Sequence, residues 1–131
     1  MLYILDSNVV IDLLGGNKAV ARALAEAAKT AHVKISDITY YEVLRGFKLH
    51  DDMRKSAVFE AFCAAFGIEY QTEESLRIAA ENYAVLRKNG TLIEDDDILI
   101  GSLAIAKNAV LVTNNTKHLS RLPGVVLETW A

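Results

Sequence analysis

Short, uninterrupted apolar runs alternating with amphipathic stretches constrain this chain more than any other feature. A buried parallel strand reads as a continuous apolar run, and an antiparallel one reads as an alternation. The runs at 2–5, 33–36, 109–113 and 125–128 are of the first kind, and 67–70 closes one helix and begins a further strand. Helical patterns fall between them, over 9–14, 18–30, 40–49, 51–66, 73–88 and 94–107, with a helical turn at 117–120. Punctuation agrees: Gly15-Gly16 and Asn89-Gly90 are stop signals, and Asn17, Thr39 and Thr72 are expected caps. Val58, Phe62, Ala65 and Phe66 mark the expected buried stripe of 51–66, with Cys63 beside them as ordinary packing. Alternating strands and helices predict an α/β fold, a three-layer α/β/α sandwich around a mostly parallel five-stranded sheet.

At 131 residues the chain reads as one domain, 1–131, able to bury a single core. An apolar fraction of 52% argues against disorder, and no apolar run is long enough to span a bilayer. The opening residues go straight into a strand and carry no export pattern, so the expectation is a cytoplasmic protein. A single cysteine fits that compartment. With a net charge of -3 there is no global basic surface, so any nucleic acid must be met by a local basic patch or a metal ion.

The first strand run ends on Asp6, and ligands of open α/β sheets bind beyond the carboxyl ends of strands. Glu42 is placed in the first turn of the helix after the second strand, and Asp97 in the first turn of the helix leading to the fourth. Asn114 and Asn115 follow the fourth strand. A parallel sheet brings all of these to one edge. Clustered carboxylates repel, and either bound cations or raised pKa values relieve them. Mg²⁺ and Mn²⁺ take such oxygen ligands, generate hydroxide and stabilise phosphodiester transition states. His32, His50 and His118 have no zinc-like spacing.

Each acid also has a plainer reading. Thr39-x-x-Glu42 matches a capping box, Glu42 is spaced to pair with Arg45, and the Glu94–Asp97 run suits a helix N-terminus. Asp6 suits a helix cap, and Asn114 and Asn115 suit a turn.

In combination, Leu5-Asp6-Ser7-Asn8-Val9, Glu42-Val43-Leu44-Arg45-Gly46, Gly90-x-x-Ile93-x-x-x-Asp97-x-x-Ile100 and Val112-Thr113-Asn114-Asn115-Thr116 resemble the PIN-domain ribonucleases. The Leu122-Pro123-Gly124-Val125 ending adds to this, and within the superfamily the chain is most similar to the VapC toxins of bacterial toxin–antitoxin pairs. The resemblance implies a Mg²⁺- or Mn²⁺-dependent ribonuclease with Asp6, Glu42 and Asp97 as catalytic, metal-holding acids. The fourth acidic position falls on Asn115, a neutral residue that would act through a water. Asn8 would orient Asp6, with Asp95 and Thr113 in support; Asp95 and Asp96 read as dipole or outer groups beside Asp97. The implied partners are an RNA substrate, a cognate antitoxin covering the acidic groove, and a second copy in a homodimer. Tyr40, Tyr41, Leu44, Phe47 and Leu49 supply apolar bulk for such a groove or for the core. Lys117, and after it Arg45, are the basic side chains best placed for RNA.

Two other carboxylate-based enzyme classes fit less well. Haloacid-dehalogenase-like phosphatases need an aspartate where Asn8 stands, and response-regulator receivers need an acidic pair at the first strand. The alternative in a different class is a non-catalytic PIN-like binding module, which the neutral Asn115 favours and the three retained acids oppose.

Overall fold

In the computed structural model, residues 1–130 are described. The elements run β1 (Leu2–Leu5), α1 (Ser7–Leu14), α2 (Lys18–Ala27), β2 (His32–Ser36), α3 (Asp37–Leu49) and α4 (Met53–Phe66). They continue with β3 (Ile68–Glu69), α5 (Glu73–Lys88), α6 (Asp95–Ala106), β4 (Val110–Val112), α7 (Thr116–Leu119) and β5 (Val126–Glu128). The five strands are all parallel, in the order β3-β2-β1-β4-β5.

That order explains the layers. The chain steps outward from β1 to β2 and β3, then returns to the other side of β1 for β4 and β5. Parallel crossovers are right-handed, so reversing the direction of travel puts the later helices on the opposite face. The side chains obey this. Leu5, Ile35 and Val112 pack with Val9, Val20, Val43 and Phe59 from α1–α4. Their strand neighbours Ile4 and Leu111 pack on the other face with Leu86, Ile98, Leu103 and Leu119 from α5–α7. Successive strand residues point to opposite faces, and continuous apolar runs result because both faces are covered.

Most helix limits follow their caps. Asn17 Oδ1 accepts from Val20 N at 3.1 Å, and Thr72 and Ser75 form a reciprocal capping box that starts α5. Two expectations fail. Thr39 does not cap α3: Ser36 Oγ accepts from Thr39 N at 3.0 Å, so the helix begins at Asp37 and Glu42 falls in its second turn. In α4 the buried side chains are Ser56, Phe59 and Cys63, whereas Val58 is 53% exposed. The helix presents the face one position round from the expected stripe, because Phe59 stacks on Tyr40 and meets Phe47 edge-on, both from α3.

Gly101 shows how tightly α6 is seated. A Cβ there would lie 2.2 Å from Leu122 Cδ1, so any larger residue would force the buried Leu122 side chain, in the segment after α7, to move off the helix that carries Asp97.

Candidate functional site

β1 and β4 are neighbours whose onward connections leave in opposite directions, which makes their carboxyl ends the switch point of the sheet. Leu5 and Val112 are in register, and Asp6 N donates to Val112 O at 2.9 Å, so Asp6 and Thr113 emerge side by side. Asp6 is 4% exposed and Thr113 fully buried. Thr113 Oγ1 donates to Asp6 Oδ2 at 2.7 Å, and Asn8 Nδ2 donates to the same oxygen at 3.3 Å. Asn8 Oδ1 in turn accepts from Asn114 N at 3.2 Å, which ties the acid to the turn after β4.

Glu42 reaches this edge from α3. Neither plainer reading of it survives. The capping box is absent because Thr39 lies inside the helix. Glu42 forms no ion pair among the described residues, and the Arg45 guanidinium lies 5.1 Å from the centre of the Tyr41 ring instead. Glu42 Oε1 accepts from Ser7 Oγ at 2.8 Å.

The acidic start of α6 completes the edge, and its three aspartates separate in role. Asp95 is exposed, while Asp96 and Asp97 are half-buried. Asp97 Oδ2 accepts from Asn115 Nδ2 at 3.3 Å, so the amide nitrogen of Asn115 is what faces the acid. Asp96 Oδ1 accepts from Asp97 N at 2.9 Å, and the Asp96 carboxyl is close enough to Glu42 to push its pKa up. Asp96 therefore belongs to the cluster, whereas Asp95, expected to support it, points into solvent. Glu94 is the N-cap residue, but its side chain makes no capping hydrogen bond.

Burial is the main cause of the electrostatic strain. It pushes Asp97 up to about 7, with Asp6 and Asp96 adding to the rise. Burial and the Asp96 contact push Glu42 up to about 7. Asp6 is also raised by burial, against the opposing hydrogen bonds from Thr113 and Ser7. Acids gathered at a strand edge with no salt bridge among the described residues carry a stability penalty, as groups poised for chemistry often do.

A cleft of about 420 Å³ opens beside the cluster, lined by Leu92, Ile93, Glu94, Asp96, Asp97, Asn115 and His118. Lys117 is exposed and is not among its walls; the basic side chain that is there is His118. The residues missed from sequence are thus His118, Asp96 as a member of the cluster, and Ser7. Ser7 reads locally as a turn residue; only the packing of α1 on α3 reveals its contact with Glu42.

The donor set is entirely oxygen and is anionic, which suits a hard divalent cation. The acids ring the edge and do not converge on a point. Among the described residues, no three Asp, Glu, His or Cys side chains stand close enough together to hold one ion.

Comparison with known proteins places this edge in a family. Residues 3–125 match the PIN domain. Ribonuclease VapC2 of Rickettsia felis is 30% identical over 132 residues, covering 99% of this chain and 98% of its own. The tRNA(fMet)-specific endonuclease VapC of Salmonella typhimurium is 31% identical, covering 77% of each chain. A chain in the crystal structure of VapBC2 from Rickettsia felis bound to a promoter DNA fragment superposes with a TM-score of 0.91, at 28% identity and full coverage of both chains. The parallel sheet, the acids at its switch point and a match across nearly the whole chain agree, and the protein belongs to the PIN-domain family.

Proposed function

We propose that this protein is a divalent-metal-dependent ribonuclease and the toxin of a VapBC-type toxin–antitoxin pair. The observation that carries the reading is the gathering of Asp6, Glu42, Asp96 and Asp97 along one strand edge, with no salt bridge to any of them among the described residues. Relatives named as ribonuclease and as tRNA endonuclease support RNA as the substrate class.

Asp6, Glu42 and Asp97 would supply the ligands for Mg²⁺ or Mn²⁺, one or two carboxylates to an ion, with Asn115 acting through a water. Mg²⁺ commonly takes one or two carboxylates and completes its shell with waters and substrate phosphate, so three convergent protein ligands are not required. When bound, the ion would supply an activated water and offset charge on the phosphodiester. The chain's own residues do the rest. Thr113 and Asn8 fix Asp6, and Asn115 fixes Asp97. Leu92 and Ile93 offer an apolar wall to a nucleotide beside the cut, with His118 lining the same cleft as Asp96 and Asp97. Lys117 and Arg45 are exposed cations available to flanking phosphates.

For the antitoxin, the supporting feature is an apolar groove of about 620 Å³ on α3, lined by Tyr40, Tyr41, Leu44, Arg45, Lys48 and Leu49. Leu49 is 77% exposed and Tyr41 61%, a patch suited to a partner. The homodimer and a cytoplasmic location are part of the same proposal; no described helix is long and apolar enough to cross a membrane. The test is co-purification with the protein encoded by the adjacent gene, followed by RNA cleavage with and without that partner. Cleavage that the partner suppresses is expected. Metal-independent cleavage, or no metal binding at all, would overturn the reading.

A further inference from the structure

We infer that Ser7 is a positioning residue that sets the separation of Asp6 and Glu42 through its two donors. Its backbone N–H donates to Asp6 Oδ1 at 2.8 Å, and its hydroxyl donates to Glu42 Oε1 at 2.8 Å. One residue therefore touches a carboxylate from α3 and another from the end of β1, which are 36 positions apart in sequence.

The hydroxyl is itself oriented. Ser7 Oγ lies 3.1 Å from Thr39 Oγ1, and Thr39 is fully buried. A hydroxyl has one proton; with that of Ser7 given to Glu42, Thr39 supplies the proton of the second contact. The chain Thr39–Ser7–Glu42 has one satisfied direction, ending on the carboxylate. Thr39 is held in turn by its backbone N–H to Ser36 Oγ.

The arrangement is tighter than a helix start needs. An N-cap side chain ordinarily accepts from the second or third residue of the helix. Here Asp6 accepts from the first, Ser7, while its other oxygen takes Thr113 and Asn8. Without the hydroxyl, Glu42 stays beside Asp96 and loses the one hydroxyl or amide that donates to it among the described residues.

This inference rests on the metal-site reading above, and its test separates the two. Mn²⁺ is titrated calorimetrically into the wild type, Ser7→Ala, Ser7→Thr and Thr39→Val, with thermal melts in chelator as a check on folding. Groups that orient metal ligands change metal affinity by roughly 10–100-fold when removed. Ser7→Ala is expected to bind Mn²⁺ at least 10-fold more weakly, with Ser7→Thr near wild type and Thr39→Val between them. In RNA cleavage, Ser7→Ala should need a correspondingly higher Mn²⁺ concentration for half-maximal rate, with KM for RNA unchanged. Wild-type affinity and metal dependence in a folded Ser7→Ala would overturn the inference and leave the metal site standing. If the wild type binds no Mn²⁺, the metal-site reading fails and takes this inference with it. If Ser7→Ala fails to fold, Ser7→Thr and Thr39→Val still decide, and wild-type Mn²⁺ affinity in Thr39→Val would count against the relay.

Discussion

Neutralising one acid of the edge should make the metal-free protein more stable. Asp97 moves from 3.8 to about 7 on folding, chiefly through burial and then through Asp6 and Asp96. At about 1.4 kcal/mol per tenfold change in proton affinity, that rise corresponds to roughly 4 kcal/mol against the ionised form if fully realised. Asp97 is only half-buried, so water screens much of it, and about 1–2 kcal/mol is a fairer expectation. The sign follows from proton binding. These acids hold protons more tightly folded than unfolded, so the native state binds more protons between about pH 4 and pH 7. Stability is therefore highest at the acid end of that window and falls as the pH rises through it. Asp97→Asn removes part of the fall while keeping an acceptor for Asn115. Urea unfolding in chelator should show Asp97→Asn more stable than wild type by about 1–2 kcal/mol at pH 8, with the difference vanishing near pH 4. A variant that is less stable at pH 8, or a wild-type profile flat across the window, would refute the argument.

Mn²⁺ or Mg²⁺ should stabilise wild type but not Asp97→Asn, by about 2.7 kcal/mol at a hundredfold excess over Kd, and chelator should reverse it; equal shifts in both would place binding elsewhere. Gly101→Ala should destabilise by about 1–2 kcal/mol. A methyl 2.2 Å from Leu122 Cδ1 overpacks the core by about 1–3 kcal/mol, and the better helix propensity of alanine offsets only part of that; urea unfolding that finds it equally stable would contradict the packing. Phe59→Ala should cost about 3–5 kcal/mol, since Phe59 is fully buried between Tyr40 and Phe47, and a smaller loss would mean that α4 can collapse onto α3. Thr113→Val should weaken Mn²⁺ binding roughly 10–100-fold by releasing Asp6, while Thr113→Ser retains it; calorimetry that finds the two alike would remove Thr113 from the site.

Much of this molecule is legible in its sequence because the signals are local. Leu2–Leu5 and Val110–Val112 are covered on both faces, so their apolar runs announce parallel strands directly. The α5 limits follow from Thr72 at one end and Asn89-Gly90 at the other, since capping and left-handed backbone depend on one or two residues. The strand order then brings Asp6, Glu42 and Asp97 to one edge, as expected for parallel strands. What stayed hidden depends on rotation and on contacts across elements. Whether Ser36 or Thr39 caps α3 is a competition between two good caps, decided by Thr39 being drawn into the core beside Ser7. Which of three consecutive aspartates face inward is a matter of 100° of helix rotation per residue, and composition is silent on that. The buried stripe of α4 was misplaced for the same reason.

Whether the acidic edge cuts RNA through a divalent metal ion is decided by cleavage of a mixed RNA pool by purified protein in Mn²⁺ or Mg²⁺, in chelator, and beside Asp97→Asn. Defined cut ends that require metal and disappear in the variant are expected. Equal cleavage by wild type and Asp97→Asn, or cleavage that persists in chelator, would contradict that expectation.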